Sequence, residues 1–358
     1  MENREVLNVG IAGYGVVGKR RRQFIDQHPR LKTVAVCDQN FSECGVMSDG
    51  VRYMPDYRQL LGEPLDVLFV SLPNYMAAEV TIAGLEKGLH VFCEKPPGRD
   101  VSDIEHVIEA ERRHPECVLK YGFNHRYHDS VREALRIVQS GDMGQILNVR
   151  GIYGKSKIIP FSGGWRAERR FAGGGILLDQ GIHMVDLIRL FCGDFIDVKS
   201  FVSNAYWHHD VEDNAFALMK GVNGQIAMLH SSATQWEHCF QMHIVLTEGY
   251  LELRGILSGT KSYGEEQLLV GKRSESDVGT LQKEVITYLE DNSWRDEIYD
   301  FASVIVNGEK VKCGNSNDAL ETMKLVYRIY YADNAWRDSY RIPDPDRLTE
   351  MIGEQSHE

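Results

Sequence analysis

The chain has 358 residues, a net charge of −12, 43% hydrophobic and 26% charged residues. That is ordinary globular composition, and the length predicts two domains with a binding cleft between them. The acidic balance, interrupted only by Lys19-Arg20-Arg21-Arg22, gives no footing for a nucleic-acid or anionic-membrane partner, so a small molecule is the expected ligand. No apolar run approaches the roughly 18 residues of a membrane helix, and Met1-Glu2-Asn3-Arg4-Glu5 lacks a signal peptide's apolar stretch, so a cytoplasmic location is expected.

From Val6 to about Tyr121, short β-branched runs (Val6–Ala12, Thr33–Cys37, Val67–Leu72, His90–Cys93, Val118–Tyr121) alternate with amphipathic stretches such as Met76–Lys87 and Val101–Arg113. That alternation predicts βαβ units and a doubly wound Rossmann sheet. A helix over about Asp129–Ser140 and a turn at Gly141-Asp142-Met143-Gly144 lead into a strand from Ile146 to Tyr153, so a second domain is expected over 128–358, after a first over 1–127. Strand candidates at Val198–Trp207, Ala215–Met219, Ile226–Ser231, Met242–Thr247 and Tyr250–Arg254, with turns at Asn223-Gly224 and Glu248-Gly249, predict an α+β domain with an open, largely antiparallel sheet. Helices over about Trp294–Val306 and Asp318–Trp336 close it, the second capped from Asn315-Ser316-Asn317. The seven cysteines form no C-x-x-C pair, which argues against a disulfide framework or a structural zinc site; most read as small core residues.

Gly13-Tyr14-Gly15-Val16-Val17-Gly18 follows the first strand and opens a helix, which suits a tight turn, close backbone approach to a pyrophosphate, and helix packing. Asp38, at the end of the second strand, is placed to accept hydrogen bonds from the adenosine ribose and to repel a 2′-phosphate, favouring NAD over NADP. The arginine run begins the first helix and reads as a solvated face. Leu72-Pro73-Asn74 and Glu94-Lys95-Pro96 end two further strands, at the edge where open α/β sheets bind ligands, and proline fixes the backbone beside Lys95. Lys95 alone reads equally as a solvated loop lysine.

Gly173-Gly174-Gly175 precedes Asp179 and His183, whose spacing puts a carboxylate and an imidazole on one helical face. Such a pair suits proton transfer, though a core histidine held by an aspartate has the same spacing; for a metal, a third ligand is missing. His208-His209-Asp210 reads as exposed polar sequence, because neighbouring strand side chains point to opposite faces.

These pieces, with Gly122-Phe123-Asn124-His125-Arg126, Val211-Glu212-Asp213-Asn214 and Asn223-Gly224, run in the order found in the glucose-fructose oxidoreductase and inositol dehydrogenase family, Gfo/Idh/MocA, which the chain resembles over nearly its whole length. The resemblance implies an NAD-binding Rossmann domain, a second domain whose open sheet forms a homodimer or homotetramer, and Lys95, Asp179 and His183 as catalytic residues. It implies cofactor contacts at Gly13, Tyr14, Gly15, Val16, Val17, Gly18, Asp38, Leu72, Pro73, Asn74, Glu94 and Lys95, and no metal. Substrate contacts are expected from Lys95, Asn124, Arg126, Lys155, Trp165, Arg166, Asp179 and His183. Arg166, Arg169 and Arg170 suit a phosphate or carboxylate on the substrate, or simply face solvent. Ala77 stands where members often carry a histidine, which affects nicotinamide packing rather than the assignment. The function implied is hydride transfer between NAD and a hydroxyl carbon of a sugar, sugar derivative or cyclic polyol, with Lys95 or His183 as base. The alternatives are an NAD-dependent glycosidase of the same family and a non-catalytic NAD-binding regulator.

Overall fold

The structure, a computed structural model, describes residues 6–158, 163–259, 262–274 and 279–346. The Met1-to-Glu5 stretch read above for targeting lies outside them. In chain order come β1 (Leu7–Ala12), α1 (Val16–Ile25), β2 (Leu31–Cys37), β3 (Gly45–Val46), β4 (Arg52–Met54), α2 (Tyr57–Leu60), β5 (Val67–Val70), α3 (Asn74–Glu86), β6 (His90–Glu94), α4 (Val101–Arg113) and β7 (Leu119–Gly122). Then follow α5 (Asp129–Ser140), β8 (Ile146–Ser156), α6 (Arg169–Ala172), α7 (Ile182–Cys192), β9 (Phe195–Ser203), β10 (Asn214–Gly221), β11 (Ile226–Gln235), β12 (Cys239–Leu246) and β13 (Gly249–Arg254). The last elements are β14 (Glu266–Arg273), β15 (Leu281–Tyr288), α8 (Ser293–Asn307), α9 (Ser316–Ala332) and α10 (Asn334–Tyr340).

The chain divides into two compact units, one running up to Asn124 and including Trp294–Leu320, the other holding His125–Ser293 and the chain from Glu321 onward. A single cut after residue 127 therefore misses a return of the chain. α8 belongs to the first unit, where Ile298, Phe301 and Ala302 join Val9, Ile11, Phe69 and Phe92 in one buried cluster. Phe301 meets Phe69 and Phe92 edge-on, with ring centroids 5.8 and 5.5 Å apart.

In the first unit the strand order is β3-β4-β2-β1-β5-β6-β7. All pairings are parallel except β3 with β4. Strands such as β5, Val-Leu-Phe-Val, are buried along their whole length, as a sheet covered on both faces requires. The order reverses at β1, whose neighbours are β2 and β5, so the switch point of the sheet lies at the carboxyl end of β1, where the glycine loop begins.

The second unit holds an eight-stranded sheet, β15-β14-β13-β12-β8-β11-β10-β9, antiparallel except where β8 runs parallel to β11. The Asn223-Gly224 turn joins β10 and β11 in register, and Glu248 turns β12 into β13, as the sequence indicates. One face is closed by α7, whose Met184 sulfur would lie 2.6 Å from a Cβ on Gly151 of β8. The other carries exposed Phe201, Phe216, Leu218 and Met228 across β9, β10 and β11.

Candidate active site

In the first unit the loop after β1 is built for a backbone rather than a side chain to be presented. Gly13 has φ +90°, and a Cβ there would meet the Ser71 carbonyl oxygen at 2.2 Å, so only glycine fits between β1 and β5. Gly15 caps α1 without a side-chain hydrogen bond, and a Cβ at Gly15 meets nothing within 4 Å. The first-turn N–H groups of α1 lack partners within the helix and carry the positive end of its dipole, as a pyrophosphate needs. Asp38 follows β2 directly. Its Oδ2 accepts from the Tyr14 N–H at 2.9 Å and its Oδ1 from the Asn40 N–H at 3.0 Å, which fixes the carboxylate beside the glycine loop with lone pairs left for ribose hydroxyls. The residues present fit a dinucleotide.

Leu72, Pro73 and Asn74 follow β5 and begin α3, with Asn74 buried; Leu72 packs near Gly13. Glu94 ends β6, and the Lys95–Pro96 peptide bond after it is cis. All lie at the carboxyl edge of the parallel sheet, as the sequence predicts. Here one expectation is corrected: Arg21 is no part of a solvated face. It has no exposed side-chain surface, and its Nε donates to Glu94 Oε1 at 2.5 Å while Nη2 sits 2.7 Å from Glu297 Oε2. Of the run only Lys19 is exposed; Arg20 and Arg22 are half-buried, and Arg22 pairs with Asp26 and Asp49.

In the second unit, the glycine run is held by Glu212, which accepts from the N–H groups of Gly175 (2.7 Å) and Leu177 (2.9 Å) and from the Tyr330 hydroxyl (2.6 Å). A Cβ on Gly175 would lie 2.0 Å from the Glu212 carbonyl oxygen, so this close approach demands glycine. The glycines do not open a regular helix. They lead into a wide turn over Leu177–Gly181 before α7, which carries Asp179 ahead of His183.

His183 is buried and stacks face to face on His125, with ring centroids 3.7 Å apart and planes 12° from parallel. His125 Nε2 lies 3.1 Å from the Tyr153 hydroxyl, and Tyr153 packs edge-on against Tyr263 at 5.3 Å. Gln180 Nε2 donates to the Tyr263 hydroxyl at 2.6 Å. Burial drives the Tyr153 phenol well above its ordinary value and, with Asp179 nearby, pushes Tyr263 up to about 12, so both remain protonated at neutral pH. Asp179 Oδ1 is 3.7 Å from Arg166 Nε. His125, Tyr153 and Tyr263 escaped the sequence reading as site residues. His125 had a signal, since it sits in the Gly122–Arg126 motif, whereas Tyr153 had none short of strand register and Tyr263, in a turn before β14, had none.

The remaining expected substrate contacts fall out differently. Asn124 is buried, in the turn that starts the Asn124–Tyr127 segment. Arg126 is taken up by Asp186: its Nε and Nη2 donate to the two carboxylate oxygens at 2.7 and 2.6 Å, both side chains being buried, so here it holds the fold. Arg169 lies over the Tyr340 ring and donates to the Gly173 carbonyl, and Arg170 pairs with Glu168, which leaves Arg166 as the arginine of that group beside Asp179. Trp165 carries the Arg166 guanidinium over its ring at 4.3 Å. Lys155 is half-buried and lies near His238, which burial and Lys155 together hold below the usual histidine range. Ser156, Glu237, His238 and Tyr263 line a groove of about 460 Å³. Among the described residues no cluster of three or more His, Cys, Asp or Glu could hold a metal, and no helix is long and apolar enough to cross a membrane.

Residues 7–123 match the model described as an oxidoreductase family, NAD-binding Rossmann fold, and residues 131–252 match the Gfo/Idh/MocA C-terminal domain. D-glucoside 3-dehydrogenase of Escherichia coli is 30% identical over 250 residues, 63% of this chain and 70% of that protein. Levoglucosan dehydrogenase of Pseudarthrobacter phenanthrenivorans is 29% identical over 213 residues, which are 55% of this chain and only 54% of that relative's length. A solved structure of levoglucosan dehydrogenase in complex with NADH shares the fold, with a TM-score of 0.80 at 21% identity over 92% of this chain and 97% of that one. Matched by both domain models and by a 30% identical relative covered over 70% of its length, the chain belongs to the Gfo/Idh/MocA oxidoreductase family, with an NAD-binding Rossmann fold in its first unit.

Proposed function

We propose that the chain is an NAD-dependent dehydrogenase that oxidises or reduces a hydroxyl carbon of a sugar, sugar derivative or cyclic polyol, with Lys95 and His183 as its acid–base candidates. The observation that carries this reading is the environment of His183: an imidazole withdrawn from water, stacked on a second imidazole that meets a protonated phenol, four residues after a carboxylate. NAD supplies the hydride acceptor or donor, and the protein must handle the proton. His183 or Lys95 takes the hydroxyl proton, and Asp179, four residues before His183, balances the charge of the imidazole. The groove beside Tyr263 offers hydroxyl, carboxylate and imidazole groups, a lining suited to a hydroxyl-rich substrate. The names of the relatives, levoglucosan dehydrogenase and D-glucoside 3-dehydrogenase, support carbohydrate chemistry.

Asp38 carries the preference for NAD over NADP. A 2′-phosphate beside its carboxylate meets like-charge repulsion, so NADH should bind about tenfold tighter than NADPH, and Asp38→Ala should bring the two affinities close together in fluorescence titrations. Equal affinities in the wild-type protein would contradict the assignment.

The exposed face of the second sheet makes a homo-oligomer the expected state. Phe216 pairs with Phe201 across β9 and β10, and Leu218 with Met228 across β10 and β11, forming an apolar patch that monomers rarely leave open. Light scattering at micromolar concentration should give a dimer or tetramer mass, and Phe201→Glu with Leu218→Glu should reduce it toward the monomer. A monomeric wild-type mass would sink this reading.

A further inference from the structure

Arg21 sits where its charge is costly. Its side chain has no exposed surface, its guanidinium lies over Trp294 and Phe92 with carbon-to-centroid distances of 4.3 and 4.5 Å, and it touches two carboxylates, Glu94 and Glu297. Gly122 leaves the room for this, since a Cβ there would lie 2.9 Å from Glu94 Oε2 and 3.1 Å from Arg21 Nη2. Replacing a buried ion cluster by apolar packing is often neutral or stabilising, so stability alone does not account for an arginine here. The carboxylate it grips belongs to the residue immediately before Lys95.

We propose that Arg21 is a positioning residue for the dehydrogenase reaction: by holding and neutralising Glu94 at the end of β6, it sets the direction and the basicity of Lys95. The proposal rests on the reading of Lys95 as catalytic. Two consequences of removing Arg21 follow from elementary physics. Glu94 is the last residue of β6 and Lys95 follows it directly in the chain, so freeing the Glu94 side chain loosens the backbone that carries Lys95. Without the positive charge of Arg21, the Glu94 carboxylate one residue along the chain also favours the protonated amine, which makes Lys95 a poorer proton acceptor.

Glu297 competes for the same guanidinium. The groups facing it are Arg21 from α1, Glu94 from β6 and Lys120 from β7, the last of which is itself paired with Asp300 of α8 at 2.7 Å. Burial, against the pull of Arg21, pushes the Glu297 carboxyl up to about 7. When Glu297 is ionised it shares the charge of Arg21 with Glu94; when it is neutral that charge is left to Glu94.

The test is the pH dependence of Lys95 labelling by pyridoxal 5′-phosphate and borohydride, read by peptide mass spectrometry on the full chain, since only the free amine reacts. Arg21→Gln should move the midpoint of Lys95 labelling upward by about one pH unit. It should also lower kcat about tenfold or more, with KM and NADH affinity nearly unchanged. Arg21→Lys, which keeps a charge, should return the midpoint most of the way. Glu297→Gln leaves Arg21 to Glu94 and should move the midpoint the opposite way, downward, a pair of signs that a merely structural role would not produce. Should Arg21→Gln fail to fold by circular dichroism, the other two variants carry the test. A folded Arg21→Gln protein whose Lys95 profile coincides with wild type, or a Glu297→Gln profile shifted upward, would overturn the proposal. If no sugar or polyol yields reduced nicotinamide with wild-type protein, it is the proposed reaction that fails, and the labelling profiles still answer for Arg21.

Discussion

Lys95→Met and His183→Ala are each expected to lower turnover by about 10²-fold or more, the range of a positioned acid–base group, while NAD affinity stays nearly unchanged. The separation follows from where the residues stand. In the proposed site the glycine loop and Asp38 would hold the cofactor through backbone N–H groups and a carboxylate that accepts from the Tyr14 N–H, groups apart from Lys95 and His183. Asp179→Asn should preserve shape but remove charge beside Arg166 and ahead of His183, giving a smaller loss and an altered pH–rate profile. Single-turnover rates and NADH titration on the same preparations make the comparison. Near wild-type rates in both the Lys95 and His183 variants would make the constellation structural.

Arg126→Ala should destabilise the protein by about 3–5 kcal/mol, because it strands the fully buried Asp186 carboxylate without its bidentate partner. Thr322 Oγ1, 3.2 Å from Asp186 Oδ1, cannot replace a charge. The double variant Arg126→Met with Asp186→Leu, which removes both charges, should recover most of the loss, a coupling measurable by denaturant unfolding of the four members of the cycle. This separates the two roles considered for Arg126. A fold-holding arginine moves the unfolding midpoint, whereas a substrate contact would raise KM in Arg126→Lys and leave stability almost untouched.

What the sequence revealed tracks how local the determining physics is. The parallel sheet was legible because doubly covered strands such as β5 are apolar throughout, and the glycine loop because its turn, strand and helix are contiguous. The Asn223-Gly224 hairpin announced itself through turn chemistry. β14 and β15 did not: the side chains of β15 are exposed or half-exposed along its length, so Leu281–Tyr288 has no apolar alternation to read. The burial of Arg21 and the membership of α8 in the first unit depend on Glu297, Phe301 and Ile298, far along the chain, which periodicity cannot assign to a core. In the second unit, spacing singles out Asp179 and His183 as candidates, but the stacking of His125 on His183 and the Glu212 clamp on the glycine run exist only through tertiary contact.

The central claim is tested most directly by following net formation of reduced nicotinamide when purified protein is given NAD and, one at a time, free sugars, inositols, glycosides and nucleotide sugars. The account predicts sustained NADH release, stoichiometric with substrate oxidised, from at least one of them, and its loss in Lys95→Met. Cleavage of a glycoside with no net NADH, or no turnover of any carbohydrate or polyol by protein that binds NAD tightly, would contradict it.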